Sequence, residues 1–401
     1  MKAGQISRVP PGGGGREFNS FRLKWRGNVD RWNIFVDPRD LPLRVITSAL
    51  TEIVNRDGGR AFLLPSLTKA SGLQVTPERI GELSASFFQE GGDSGIFKLE
   101  AKIVLPGQGE KTVAFCLNVA RNPELNDLHA EIFRNLQRLR KIDPAYVVEP
   151  FCLDLATARD GEREIKVAVF STEWLTGYTE VNMFNLAESI DGGVALDGLE
   201  AVGMRQLRFN QPSRSGYYDG VIKDHFLEEA IAVEMVRILT AYFKPETMEM
   251  IVDYGINSGD FVCRLESDGS FSLKLVTCRD ILRHDDFPSA PTAVRAFPLL
   301  EELFRHRENS VHHQSRLDLA DLMKYSIYTF NPSEVCEGVV KALVAKYGAK
   351  AGRREALEWL GTYFLIDKQL QQEHPFADKD RFFRQMVIRQ ELGEFLLELA
   401  E

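Results

Sequence analysis

Between Leu41 and Val54 the apolar residues Leu41, Val45, Ile46, Ala49, Leu50, Ile53 and Val54 return every three or four positions, the spacing that lines one side of an α-helix. Gly58 and Gly59 are its expected stop. Just upstream, residues 32–36 form a short strand-like run. From Leu83 the period drops to two. Residues 83–88 and 96–103 predict two strands joined by a turn that carries Gly91, Gly92 and Gly95, and residues 113–120 predict a third strand. Helical spacing returns at Leu125, Leu128, Ile132, Phe133, Leu136 and Leu139, and strands follow near 147–153 and 165–170. The order is three strands, one helix, two strands.

Past Glu173 the chain reads as irregular and glycine-rich through about residue 220. A strongly apolar helix then spans about 225–243 and stops at Pro245. Strand-like residues 260–265 and 270–277 flank Asp268-Gly269, a good hairpin tip. From Pro291 onward the pattern predicts helices alone, the last at about 380–400. No internal repeat is found.

At 401 residues the chain exceeds the usual reach of one core, so two packed lobes are expected. An apolar fraction of 44% excludes wholesale disorder, although residues 1–20, with Pro10, Pro11 and Gly12 to Gly15, read as a flexible tail. Forty-nine basic against 58 acidic side chains give a net charge of −9, which argues against nucleic acid or an anionic membrane as partner. No apolar run reaches the length of a membrane span, and the first residues lack a secretory signal's apolar stretch, so the expected location is the cytoplasm. The five cysteines, Cys116, Cys152, Cys263, Cys278 and Cys336, form no paired motif and suit reduced thiols. No histidine spacing predicts a metal site.

The order of elements from residue 80 to about 285 resembles the protein-kinase-like fold, specifically its aminoglycoside and choline phosphotransferase branch. The resemblance implies an α+β class: a two-lobed fold with a small antiparallel-sheet N-lobe carrying one helix and a mostly helical C-lobe. The matching boundaries are a tail at 1–20, an N-terminal cap at 21–79, an N-lobe and hinge at 80–180, and a helical C-lobe with a C-terminal extension at 181–401. Residues 88–95 look like the loop that covers ATP phosphates, Glu131 like the helix glutamate, and the segment with Glu173 like the interlobe hinge. Gly91, Gly92, Gly95, Asn118, Glu131 and Glu173 are therefore the implied nucleotide-binding positions.

The ionisable chemistry of that family is missing. Asn118 stands where the resemblance places the phosphate-pairing lysine, and an amide carries no charge. Lys98 is the nearest substitute, but alternation sets it opposite Phe97, Leu99 and Ala101, which reads as a solvated strand lysine. Ile256 falls at the catalytic aspartate and Phe261 at the metal-binding asparagine; neither can accept a proton or ligate magnesium. Thr277 and Arg279 occupy the metal-chelating motif. The glycine-rich turn itself reads either as a phosphate cradle or as a plain hairpin, since Glu90 and Asp93 set negative charge beside it. Glu131 either finds a new partner, for which Arg279 is the candidate, or sits exposed on its helix.

The leading expectation is a pseudokinase that regulates or scaffolds by binding an unidentified protein partner and retains ATP or another nucleotide without magnesium, with no metal site of its own. The alternative is a divergent phosphotransferase or nucleotidyltransferase that recruits Asp253, Asp260 or Asp280 to hold metal or activate a hydroxyl. An unrelated two-domain binding protein with the same order of elements is the third.

Overall fold

The computed structural model describes residues 21–26, 39–90, 93–105, 109–185, 205–210, 220–221, 225–252, 254, 260–283, 289–304, 306–309, 325–328, 330 and 332–373. The chain divides into two units, Met1–Thr176 and Gly177–Glu401. Helices and sheets occur in both, an α+β composition.

In the first unit a short strand β1 (Lys24–Arg26) leads to helices α1 (Leu43–Asn55) and α2 (Leu63–Ser71). Strands β2 (Ile80–Glu90), β3 (Ser94–Leu105) and β4 (Gly109–Ala120) form a meander. Helix α3 (Asn126–Ile142) separates it from β5 (Pro150–Asp160) and β6 (Arg163–Glu173). These strands make one sheet in the order β1-β2-β3-β4-β6-β5, antiparallel except where β1 joins β2. The alternation read from the sequence decides its faces. Phe97, Leu99, Ala101, Phe115, Leu117, Val119, Val167 and Val169 are buried in one core with the stripe of α1, where Val45, Ile46, Ala49, Leu50, Ile53 and Val54 have no exposed surface, and with Leu63, Leu64 and Leu67 of α2. Burying each Val, Leu or Ile is worth about 1.5–3 kcal/mol, so this packing alone anchors the two helices on the sheet.

Helix α2 was not legible in the apolar pattern, yet Leu63, Leu64 and Leu67 are buried and Gly72 ends it in the left-handed region at φ 70°. That is the glycine stop of a short helix, and it was the available signal. The cap is also pinned electrostatically. Asp40 pairs with Arg121 at the end of β4, both side chains nearly out of water, and Asn122 Nδ2 donates to Asp40 Oδ1 at 3.3 Å.

The second unit departs from expectation. Where irregular chain was predicted after Glu173, strands β7 (Thr179–Asn185), β8 (Arg205–Asn210) and β9 (Gly220–Val221) are found. They join β11 (Phe261–Leu265) and β12 (Phe271–Leu275), which bracket the predicted hairpin with Gly269 at φ 86°, in the order β12-β11-β7-β8-β9. Helix α4 (His225–Ala241) falls where the sequence placed it, followed by β10 (Glu249–Val252), which pairs with β13 (Asp280–Arg283). After Pro291 come α5 (Thr292–Arg295) and α6 (Phe297–Phe304). An unpredicted pair of strands, β14 (His306–Asn309) and β15 (Tyr325–Tyr328), interrupts the helices. Tyr-Ser-Ile-Tyr has strand-forming residues, but its ladder partner is distant in sequence, so no local period announces it.

The chain continues with α7 (Pro332–Tyr347) and α8 (Ala349–Glu373). Helices α4 and α7 approach so closely that a Cβ at Gly338 would lie 2.5 Å from Val236 Cβ, which leaves glycine as the residue that fits. The helix predicted at 380–400 and the run at 32–36 lie outside the described residues. Among the described residues no helix is long and apolar enough to cross a membrane.

Candidate functional site

Strand register settles which side chains of the first unit share a face. Directly opposed residues of antiparallel strands point the same way, and Ser86, Lys98, Cys116 and Thr172 form one such row across β2, β3, β4 and β6. Asn118 stands two positions from Cys116 on the same face of β4. The opposite face belongs to the core under α1 and α2. This corrects the reading of Lys98. Its neighbours Phe97, Leu99 and Ala101 do lie on the other side, but theirs is the cap-facing core, so Lys98 shares a face with Cys116 and Asn118.

Lys98 is held in place. Its Nζ lies 2.9 Å from Glu100 Oε1 and 5.0 Å from the centre of the Trp174 ring. Phe88, displaced by the break in register between Phe87 and Gln89, meets Trp174 edge to face at 5.1 Å and keeps 42% of its surface exposed. Asn118 Nδ2 donates to Cys116 Sγ at 3.6 Å. Burial pushes the Cys116 thiol up to about 12, against the opposing hydrogen bonds from Thr172 and Asn118, so the row carries a neutral thiol and an ammonium.

The glycine-rich turn is tied down at its C-terminal end. Ser94 Oγ lies 2.9 Å from His129 Nε2, while His129 Nδ1 lies 3.0 Å from the Leu125 carbonyl oxygen, the arrangement of a neutral imidazole donating from Nδ1 and accepting at Nε2. The Arg121 amide donates to the Asp93 carbonyl at 3.3 Å. Gly95 continues β3 opposite Val119. Gly91 and Gly92 lie outside the described residues.

Glu131 sits on α3 and takes Arg134 of its own helix at 2.6 Å, with 44% of its side chain exposed. In place of the pairing with Arg279 foreseen from the sequence, Glu131 meets Arg134, and Arg279 meets Asp260 in the second unit. An arginine one turn away on the exposed face of the helix reaches the carboxylate at no cost in long-range ordering. Glu173 belongs to a different network: its Oε1 accepts from the Glu149 amide at 2.9 Å and lies 4.0 Å from Arg140 Nη1. Opposed to Phe115, it does not share the face of Lys98.

In the second unit Asp260 and Arg279 meet. Arg279 Nη1 donates to both carboxylate oxygens of Asp260, at 2.6 and 2.8 Å, and the aspartate side chain is 2% exposed. Asp260 precedes β11, its carbonyl accepting from the Val276 amide at 2.8 Å just past β12, so the hairpin ladder brings Asp260 and Arg279 together although 19 positions separate them. Phe261 is buried in β11 opposite Leu275, an apolar side chain with no donor atom for a metal. Thr277 is half-buried. Asp280 is exposed at the start of β13, opposite Val252. Asp253 and Ile256 lie outside the described residues. Among the described residues no three His, Cys, Asp or Glu side chains gather in a way that would hold a metal ion.

No family model matches the sequence, and no curated protein matches it either. A solved structure described as "WaaP in complex with acyl carrier protein" is similar over 76% of this chain and 88% of that chain, at 12% identity and a TM-score of 0.25. A score that low decides nothing about fold or function.

Proposed function

We propose that this chain is a kinase-like protein that has given up phosphoryl transfer and acts by binding, as a regulatory or scaffolding subunit for a protein partner in the cytoplasm. The first unit supports the kinase-like part through its order of elements: a three-strand meander with a glycine-rich turn, one helix, then two strands that complete the sheet. The single observation that carries the loss of activity is the buried contact of Arg279 with Asp260.

Phosphoryl transfer depends on cations positioned around the phosphates and on carboxylates that hold them. Asp260 is a buried acid, and its carboxylate meets a guanidinium at hydrogen-bond distance. Magnesium on that carboxylate would stand beside the Arg279 guanidinium, itself 16% exposed, and the two positive charges would repel. Asn118 and Thr277 add no charge, and Phe261 adds no ligand. A nucleotide bound without magnesium is the cofactor that this arrangement suits.

The test is phosphoryl transfer and ATP hydrolysis by the purified protein with magnesium and manganese. Activity at background is the expected result. Turnover that disappears in Asp260→Ala or Asp280→Ala would overturn the reading and establish the divergent phosphotransferase in its place.

A further inference from the structure

Resting on that reading, we infer that Lys98 has taken over phosphate recognition from position 118, and that Trp174 and Phe88 supply the apolar contact for the planar base, so that a nucleotide binds this face without a divalent metal. Three observations converge. The cation is on the right face: Lys98 is directly opposed to Cys116, and Asn118 stands beside Cys116 on that face. Neighbouring strands lie about 4.8 Å apart, and a lysine stem spans more than that, so moving the charge from β4 to β3 keeps it within reach of the same anion.

The cation is also held ready. The indole of Trp174 lies 5.0 Å beneath the ammonium, and among the described residues Glu100 is its carboxylate partner, at 2.9 Å. An indole face favours the charged ammonium without neutralising it, which leaves the ammonium's other donors for an incoming phosphate. Finally, aromatic surface lies next to it. Phe88 and Trp174 meet at 90°, and the Phe88 ring remains 42% exposed within contact of the ring that supports Lys98. An anion and a planar aromatic group on one molecule match a cation and an aromatic pair on one face, and a nucleotide is the common ligand with both.

Glu100 gives the inference its sharpest test, because it opposes the ligand while holding the cation. Removing its charge frees Lys98 and takes away a like charge from beside the phosphate, so Glu100→Gln is expected to tighten binding, whereas Lys98→Met loosens it. A merely structural ion pair predicts that both substitutions act in the same direction.

The experiment is calorimetry on the full chain in EDTA, with ATP, ADP, adenosine and inorganic tripolyphosphate. Thermal melts of each variant establish that it is folded. We expect Lys98→Met to weaken ATP about tenfold or more, as loss of a charge-assisted hydrogen bond does, with adenosine unaffected. Glu100→Gln should tighten ATP severalfold, and Trp174→Leu should weaken ATP and adenosine alike. ATP affinity unchanged by Lys98→Met, binding that requires magnesium, or no nucleotide binding at all would each overturn the inference. None of these bears on the loss of phosphoryl transfer, which the turnover assay reads separately.

Discussion

Arg279→Met removes the guanidinium that meets the Asp260 carboxylate in a place almost closed to water. The contact consists of one nitrogen at 2.6 and 2.8 Å from the two oxygens, with side chains 16% and 2% exposed. Such a pair belongs to the buried class, in which removing one partner costs about 3–5 kcal/mol because the remaining charge keeps its desolvation penalty. The exposed pair of Glu131 and Arg134, at 44% and 65%, provides the control, with an expected cost of about 0.5 kcal/mol or less for Arg134→Met. The double variant Asp260→Asn with Arg279→Met removes both charges together, so it should be more stable than the Arg279→Met single variant.

Urea unfolding gives the size of the effect, and hydrogen exchange with mass spectrometry over residues 260–280 localises it. A loss of about 3–5 kcal/mol corresponds to roughly two to three and a half decades in the local opening constant. A cost below about 1 kcal/mol, or single-variant costs that simply add in the double variant, would refute the assignment of this contact to the buried class. The proposed substitution of an ion pair for a metal would then lose its physical basis.

Two further outcomes follow from the titration of buried groups. Burial pushes His129 down from 6.5 to about 4, against the hydrogen bond to the Leu125 carbonyl and the charge of Asp93. Between those values the unfolded chain binds more protons than the folded one, so stability is full above 6.5 and falls as pH drops toward 4, by about 3 kcal/mol in all. Urea midpoints for wild type and His129→Gln across that window should converge as pH falls, and parallel curves would refute the assignment. Burial also pushes the Cys116 and Cys263 thiols up to about 12, and all five cysteines are unbridged. A disulfide-exchange reagent at pH 8 should count five thiols in denaturant while these two stay unreactive in the folded protein, and rapid native labelling of either would contradict it.

Sequence periodicity alone determined the local elements: the stripe of α1, the alternation of β2 to β4, helices α3 and α4, and the hairpin at Asp268-Gly269 all lie where apolar spacing and turn chemistry put them. It also determined what was missing, since a neutral side chain at 118 or 277 and an apolar one at 261 are properties of the residues in any fold. Tertiary structure decided the partnerships. Alternation says that Lys98 and Phe97 lie on opposite faces, but only the packing of α1 and α2 says which face is core, and that choice moved Lys98 to the side of Asn118. Likewise, strands β7, β8, β14 and β15 owe their existence to ladder partners far along the chain, whose hydrogen bonds leave no local period to read. The charges follow the same rule. Arg279 was expected to turn toward Glu131, yet the hairpin ladder delivers it to Asp260, and Glu131 takes the arginine one turn away on its own helix. An ion pair forms between the groups that backbone pairing has already brought together, and that pairing is a property of the folded chain.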